Sequence, residues 1–466
     1  MVKQPQTSGW GVGCAMTSSD SDLIPEKKRR LFPVRGWAGY CKASSSFQIL
    51  SADESLQDLL FESPSWLPVG NGCSYGDAAL NEGGTRIQPA SSDLLRSDMK
   101  NGTVWVSAAM PLSELLPHLS IRGWTLPVVP GVLSATVGGM VASDVHGKNH
   151  LHCGSFGNSV EAIELILTDG QKLKCSREVE PEIFRVTLGG MGLTGLVTAV
   201  LLRLVRRSAS VAEVIVTTTE DLDQTLQTLE KIAVESDHSS AWVDFSLRSR
   251  STGRGVISGG NLIPVSGDPE TCQLWEPSSG PELPPLPTPG ENLIHWHNRL
   301  YHLLARRASR SSFWPLEKLL FPLEAWSSWQ RVYEPAGFHQ HQSLIPEEAG
   351  LSAVKSLFRL VGEGGISPTL VVIKRMGVGR GGLSFPAPGW TVSMDFAHRS
   401  DLIDLLEKMN QFTAEAGGRV YLSKDSTLSA DLLRQMYPDL GSFMEVRQRV
   451  DPHRSIRSCL ADRLEL

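Results

Sequence analysis

Apolar and polar positions along the chain fall into short alternating runs broken by glycine turns, with helical spacing between them. Val104-Trp105-Val106-Ser107 predicts a strand. Leucines at 112, 115, 116 and 119 recur at helical spacing, so Pro111 to Arg122 predicts a helix. Pro111 suits its first turn, and Pro117 is expected to kink or split it. Ile163 to Lys174 reads as a hairpin through Asp169-Gly170, with a type I′ turn expected. Leu193 to Val205 is a further apolar, β-branched run.

Past Arg207 the texture changes. Val211–Val216 predicts a strand and Leu222–Val234 a helix. Residues 264–291 are rich in Pro, Ser and Gly, which reads as a linker or a flap. Strands are predicted at Leu370–Lys374 and Thr391–Phe396, a helix at Leu402–Glu415, and a last strand at Arg419–Leu422. Strands and helices mix without regular βαβ alternation, so the fold class is α+β. Residues 1–34 read as a flexible tail, polar and without periodicity.

Composition narrows the picture. The 466 residues are 41% hydrophobic and 20% charged, an ordinary globular balance. A net charge of −6 gives no support to a nucleic-acid surface. The cysteines at 14, 41, 73, 153, 175, 272 and 459 form no CxxC pair, so free thiols in a reducing compartment are expected. No continuous apolar run precedes Lys27-Lys28-Arg29-Arg30, and no apolar stretch reaches a membrane span, so a cytoplasmic protein is expected. Peripheral contact with a membrane stays open.

Gly377-Val378-Gly379-Arg380-Gly381-Gly382 matches the dinucleotide pattern G-x-G-x-x-G. Pro386 and Pro388 follow too closely for the helix that pattern requires, so it reads as a structural turn. Three other loops carry more chemistry: Gly72 to Asp77, Pro130 to Asn158, and Tyr421 to Ser426. Glycine lets successive backbone N–H groups approach an anion, and the interleaved Ser and Thr add donors, so these loops suit a phosphate or a phosphorylated cofactor. His146, His150 and His152 raise the question of zinc. A glycine-rich loop gives no rigid convergence of imidazoles, and no metal site is expected.

These loops resemble the vanillyl-alcohol-oxidase-type, or PCMH-type, FAD-binding family, and within it the decaprenylphosphoryl-ribose oxidases. The matching stretches include Asp144-Val145-His146-Gly147-Lys148-Asn149-His150, Gly154-Ser155-Phe156-Gly157-Asn158, Asp395-Phe396, Tyr421-Leu422-Ser423-Lys424-Asp425-Ser426 and Arg463-Leu464. The resemblance implies an FAD domain at 35–208 and 419–466 and a substrate domain on an antiparallel sheet at 209–418. It assigns the cofactor FAD to Gly72, Cys73, Ser74, Tyr75 and Gly76, and to Gly131, Thr136, Gly138, Gly139 and Ser143. His146, Gly147, Asn149, Gly154, Ser155, Val197 and Tyr421 complete that set. The substrate falls to Lys148, Gln340, Gln342, Lys374 and Ser393, and catalysis to Lys424 and His146.

The implied reaction oxidises the 2′-hydroxyl of a polyprenylphosphoryl pentose to a ketone, with hydride passing to flavin N5. A short-chain reductase would be its partner. Lys424 would stabilise negative charge on the alkoxide or the reduced flavin, while the Lys424-Asp425 pair also reads as a solvated surface pair. His146 would hydrogen-bond the substrate or flavin, or act as a base. Gln340 and Gln342, two apart in a predicted strand, would share one face. The chain departs from the ribose oxidases at Cys73, where they carry arginine and other members a flavin-linked histidine. It departs also at Ser393, a cysteine in them, and at Leu320, a tyrosine. An alditol or aldonolactone oxidase acting on a soluble sugar is the alternative, and a non-catalytic flavin-binding protein the second.

Overall fold

The alternating runs pair into three main sheets. The structure, a computed structural model, describes residues 30–51, 54–60, 63–91, 96–98, 101–206, 211–247, 252–263, 290–308, 311–324, 326 and 329–466. Most of the tail expected at 1–34, and residues 264–289 of the Pro-rich segment, lie outside these. Phe32–Arg35, which begins inside the stretch read as tail, is a strand because it pairs with Lys42–Ser45.

The first sheet runs Phe32–Arg35, Lys42–Leu50, Thr85–Pro89, Trp66–Pro68, and its last three strands are parallel. The second runs Arg96–Asp98, Thr103–Ser107, Leu196–Arg203, Val160–Ile166, Lys172–Ser176, all antiparallel. Val104, Val106, Ile163, Leu165, Val200 and Leu202 are buried from it at the two-residue period of a strand. The helix Leu112–Ser120 buries Leu112, Leu115, Leu116 and Leu119 in the same core.

Pro117 sits inside that helix, which continues past it. A mid-helix proline costs about 3 kcal/mol, while each buried leucine contributes about 1.5–3 kcal/mol. Four leucines outweigh one proline. The hairpin also differs from expectation. Ile166 pairs with Lys172, and of the loop residues Gly170 has positive φ (83°) while Asp169 does not. A type I′ turn needs both. The connection is instead a turn closed by Gly170 N–H to Leu167 O (3.0 Å), with the glycine as its left-handed residue.

The third sheet has eight strands, every pairing antiparallel: Ser311–Pro315, Val211–Thr218, Gly255–Leu262, His238–Val243, Leu370–Met376, Gly389–Ala397, Phe338–Pro346 and Arg419–Val420. The mixture of this sheet with helices is the α+β class expected. One face buries Ala241, Ile257, Ile373, Val392, Met394 and Phe396 in one core with residues of the helices Leu222–Glu235, Gly350–Glu363 and Ile403–Glu415. On the other face the register aligns Gln340 with Asp395 and Leu370, Gln342 with Ser393 and Val372, and Thr391 with Lys374. This polar face, on three neighbouring strands, positions the site. The G-x-G-x-x-G segment follows Leu370–Met376 and opens no helix, as expected of a turn.

Candidate active site

A cleft with a cavity volume of about 320 Å³ separates the polar sheet face from the glycine loops. That volume is within the range of small-molecule sites, roughly 300–1,000 Å³. Gly72, Cys73, Ser74 and Tyr75 line one side, with Gly131, Thr136, Gly138, Gly139, Ser143 and Val197. Gln340, Gln342, Lys374 and Ser393 line the sheet side, and His146, Tyr421 and Lys424 lie between. The two glutamines share the face their spacing predicted.

The glycines have separate reasons. A Cβ on Gly138 would meet the Cβ and carbonyl of Ala108 at 3.0 and 3.1 Å, so Gly138 permits close packing behind the cleft. Among the described residues nothing comes within 4 Å of the Cβ position of Gly72 or Gly131, and Gly72 has φ +66°. Their backbones border open space, as a cofactor's diphosphate requires.

Six expected residues do not line the cleft. Gly76 packs backbone to backbone, its Cβ position only 1.8 Å from the Asp425 carbonyl oxygen. Gly147 faces the Val129 carbonyl, and Asn149 donates to Pro127 O at 2.8 Å. Lys148 donates to Leu319 O at 2.5 Å. Ser155 donates to buried Asp144 at 2.8 Å, and Gly154 takes φ +71° beside Asn158. Gly147, Lys148, Asn149, Gly154 and Ser155 brace the loop that presents His146, and Gly76 the loop that carries Lys424. Leu320 does not line the cleft either; Leu323 does. His152 turns away from His146, its Nε2 2.9 Å from Ala233 O.

His146 is buried against Tyr421 and Phe385, ring centroids 5.3 and 5.6 Å away. Burial first, then the nearby lysines, push its pKa well below the ordinary value, so it is neutral. The Gln342 amide donates to its Nε2 (3.1 Å) and to Thr391 Oγ1 (3.0 Å). The ring proton is therefore on Nδ1, which has no hydrogen-bond partner among the described residues. In that tautomer Nδ1 is a donor.

Lys424 holds its ammonium 3.1 Å from the centroid of the Tyr75 ring. Burial lowers its pKa to about 7, against a raising contribution from Asp395. Asp395 is buried behind Gln340, which donates to its Oδ1 at 2.5 Å. Its Oδ2 has no hydrogen-bond partner among the described residues, and burial lifts its pKa to about 7. Lys374 on the sheet face is lowered to about 8 by burial. Burial raises the Cys73 thiol, whose Sγ lies 3.4 Å from Ser134 Oγ.

One buried ionic group ties the loops together. Arg463 donates from Nε and Nη2 to the two oxygens of Asp77, both at 2.9 Å. Nη2 also lies 2.9 Å from Asp425 Oδ2, and Nη1 donates to Leu428 O at 2.6 Å. The loops carrying Tyr75 and Lys424 are thus clamped by a side chain from the helix Cys459–Leu464. The sequence reading assigned no role to Asp77, Arg463 or Asp395, although each falls in a quoted motif.

Two family descriptions match: an FAD binding domain over residues 59–176, and D-arabinono-1,4-lactone oxidase over residues 394–464. The first contains the glycine loops and the second contains Lys424 and Arg463. Over 418 residues the chain is 33% identical to decaprenylphosphoryl-beta-D-ribose oxidase of Mycolicibacterium smegmatis, spanning 85% of this chain and 88% of that one. The chain belongs to this family of FAD-binding oxidases. It is also 33% identical over 368 residues to an uncharacterized protein in the mprA 5′ region of Streptomyces coelicolor, covering 76% of this chain and 99% of that one. L-gulonolactone oxidase of Mus musculus matches at 30% over 137 residues, 29% of this chain and 31% of its own.

As a member of the PCMH-type oxidases, the chain is an FAD-dependent oxidoreductase acting on CH–OH groups. FAD is its cofactor. The open backbone at Gly72 and Gly131 and the unpartnered Nδ1 of His146 fit such a group. For this family's site, Gly76→Ala is expected to drive the Tyr75 and Lys424 loops apart. A methyl cannot stand 1.8 Å from a backbone oxygen, and overpacking of this kind costs about 1–3 kcal/mol. Flavin bound per chain after purification should fall well below that of the unaltered protein.

Proposed function

We propose that the substrate is a polyprenylphosphoryl pentose, oxidised at a secondary hydroxyl to the ketone. One observation carries the reading. Lys374 lines the cleft on the sheet side, with its pKa held at about 8, and forms no ion pair among the described residues. A half-buried cation in a cleft favours an anionic partner, and the phosphate of such a substrate is one. The similarity to the M. smegmatis enzyme, named for a decaprenylphosphoryl sugar, supports the same class.

Bound FAD supplies the acceptor for the hydride. The neutral amine of Lys424 takes the hydroxyl proton, a task suited to a lysine lowered to about 7. Asp395 then faces the ammonium that forms. His146 Nδ1–H donates to the reacting oxygen, and Gln342 holds the tautomer. Gln340 and Ser393 hydrogen-bond the sugar from the sheet. The Cys73 thiol, raised by burial, is a poor nucleophile, which speaks against a flavin link through that residue. Residues 35–208 with 419–466 make the FAD domain, and 209–418 the substrate domain. A separate short-chain reductase would consume the ketone, and the polyprenyl chain would bring the enzyme to a membrane surface. Among the described residues no helix is long and apolar enough to cross one.

A second reading, oxidation of a soluble aldonolactone, is favoured by the arabinonolactone oxidase match at 394–464. The test is anaerobic bleaching of the flavin band by each donor. Lys374→Met is expected to raise KM for the phosphorylated substrate roughly tenfold or more, and to leave KM for a neutral sugar unchanged. Bleaching by lactone alone overturns the first reading.

A further inference from the structure

The helix Glu291–Arg307 is turned inside out. Its buried residues are Ile294, Asn298 and His302, four apart along one face. Two of the three are polar and hydrogen-bonded. Asn298 Nδ2 donates to buried Asp244 at 2.9 Å, and His302 Nε2 lies 3.0 Å from Thr219 O. The opposite face carries Leu293 (59% exposed), Trp296 (64%), Leu300 (56%), Leu303 (44%) and Leu304 (52%). Their spacing of three, four, three and one forms a continuous apolar stripe. An ordinary surface helix buries that stripe and exposes its polar side.

The charges are sorted too. Glu291, the only acid on the helix, is turned inward and accepts from the Ser367 hydroxyl at 2.5 Å. The exposed cations are Arg299, Arg306 and Arg307. The Arg299 guanidinium lies 5.8 Å from the centroid of the Trp296 ring, and Arg306 reaches Glu220 at 3.4 Å. Seventeen residues make a stripe about 25 Å long on a helix about 10 Å wide, or about 250 Å². A stable dimer buries about 800 Å² per partner, so this face is too small to hold a second copy by itself. Leucines, an interfacial tryptophan and a basic rim are the marks of a helix lying in an anionic lipid surface.

The geometry points to Glu291–Arg307 as a docking helix that lays its Leu293–Leu304 face into an anionic membrane surface. The helix packs on the strand Val211–Thr218, three strands from Leu370–Met376 of the cleft, a distance of about 14 Å. A lipid-linked substrate would thus meet the cleft beside the surface that holds it. That last connection rests on the proposed substrate, whereas the docking face does not.

The test is co-sedimentation of the flavin-loaded protein with vesicles of phosphatidylcholine, with and without phosphatidylglycerol. The protein is expected to pellet with the anionic vesicles and to be released by salt. The variant Trp296→Ser, Leu300→Ser, Leu304→Ser should partition roughly tenfold less or weaker still, and Arg299→Gln, Arg307→Gln should lose the anionic preference. Hydrogen exchange on the unaltered chain provides a second measurement: residues 291–307 should gain protection on vesicles. Unaltered protein that stays in solution with both vesicle types overturns the proposal. So does a failure of 291–307 to gain protection on vesicles that the protein does bind. A triple variant that pellets normally but turns a dimer into a monomer overturns it in favour of a second copy. Because these vesicles hold no substrate, failure of the polyprenyl reading leaves the result unchanged.

Discussion

Replacing Lys424 with methionine is expected to lower kcat by roughly 10²–10⁴-fold, the range for loss of a general base, while flavin stays bound. The side chain lies at the cleft wall over Tyr75, and burial sets its pKa at about 7. The proposed step needs the neutral amine. Activity of the unaltered enzyme should therefore rise as pH rises through about 7 and fall as protonation takes the amine below it. Asp395 raises the Lys424 pKa, so Asp395→Asn should move this limb to lower pH. Lys424→Arg separates the two roles a lysine has here. A guanidinium keeps the positive charge but stays protonated, so it rescues a purely electrostatic role and not a base. Substantial activity in Lys424→Arg, or a pH profile unmoved by Asp395→Asn, would count against the assignment.

Removing Arg463 is the second large effect. Asp425 and Asp77 are buried, with side chains 2% and 12% exposed, and both face this one guanidinium. Arg463→Met leaves two buried carboxylates without their cation, and breaking such a group costs about 3–5 kcal/mol. Denaturant melts of the purified protein should show that loss, with flavin released at a lower denaturant concentration. Adding Asp77→Asn and Asp425→Asn to Arg463→Met should recover part of it, since neutral amides are cheaper to bury than unpaired charges. A cost under about 1 kcal/mol, typical of an exposed pair, would show that the clamp is not holding the loops.

Local features were the legible ones. The two-residue period put Gln340 and Gln342 on one face, and strand register then aligned them with Asp395 and Ser393. The proline pair after Gly382 removed a dinucleotide-binding helix from consideration, and none forms. The glycine loops pointed to an anion-binding backbone, and Gly72 and Gly131 do border open space. Less visible was which loop glycines face the cleft. Gly76 and Gly72 have the same composition around them, yet one meets a carbonyl and the other nothing. That difference depends on where a loop nearly 350 positions away comes to rest. The same limit hid the Asp77–Arg463 pair, 386 positions apart. Pro117 and the Asp169-Gly170 turn show a second limit, since tertiary burial and strand register overrode the local preference in each.

The clamp has a consequence for the order of events during synthesis. Asp77 leaves the ribosome 386 residues before Arg463, an interval of roughly 20–80 seconds at 5–20 residues per second. For that time the loop carrying Tyr75 lacks the cation that neutralises Asp77, and for most of it also the Asp425 backbone that Gly76 packs against. Flavin capture is therefore a late event, and a nascent chain arrested before Arg463 should be colourless even though every glycine of the cofactor loops has already emerged.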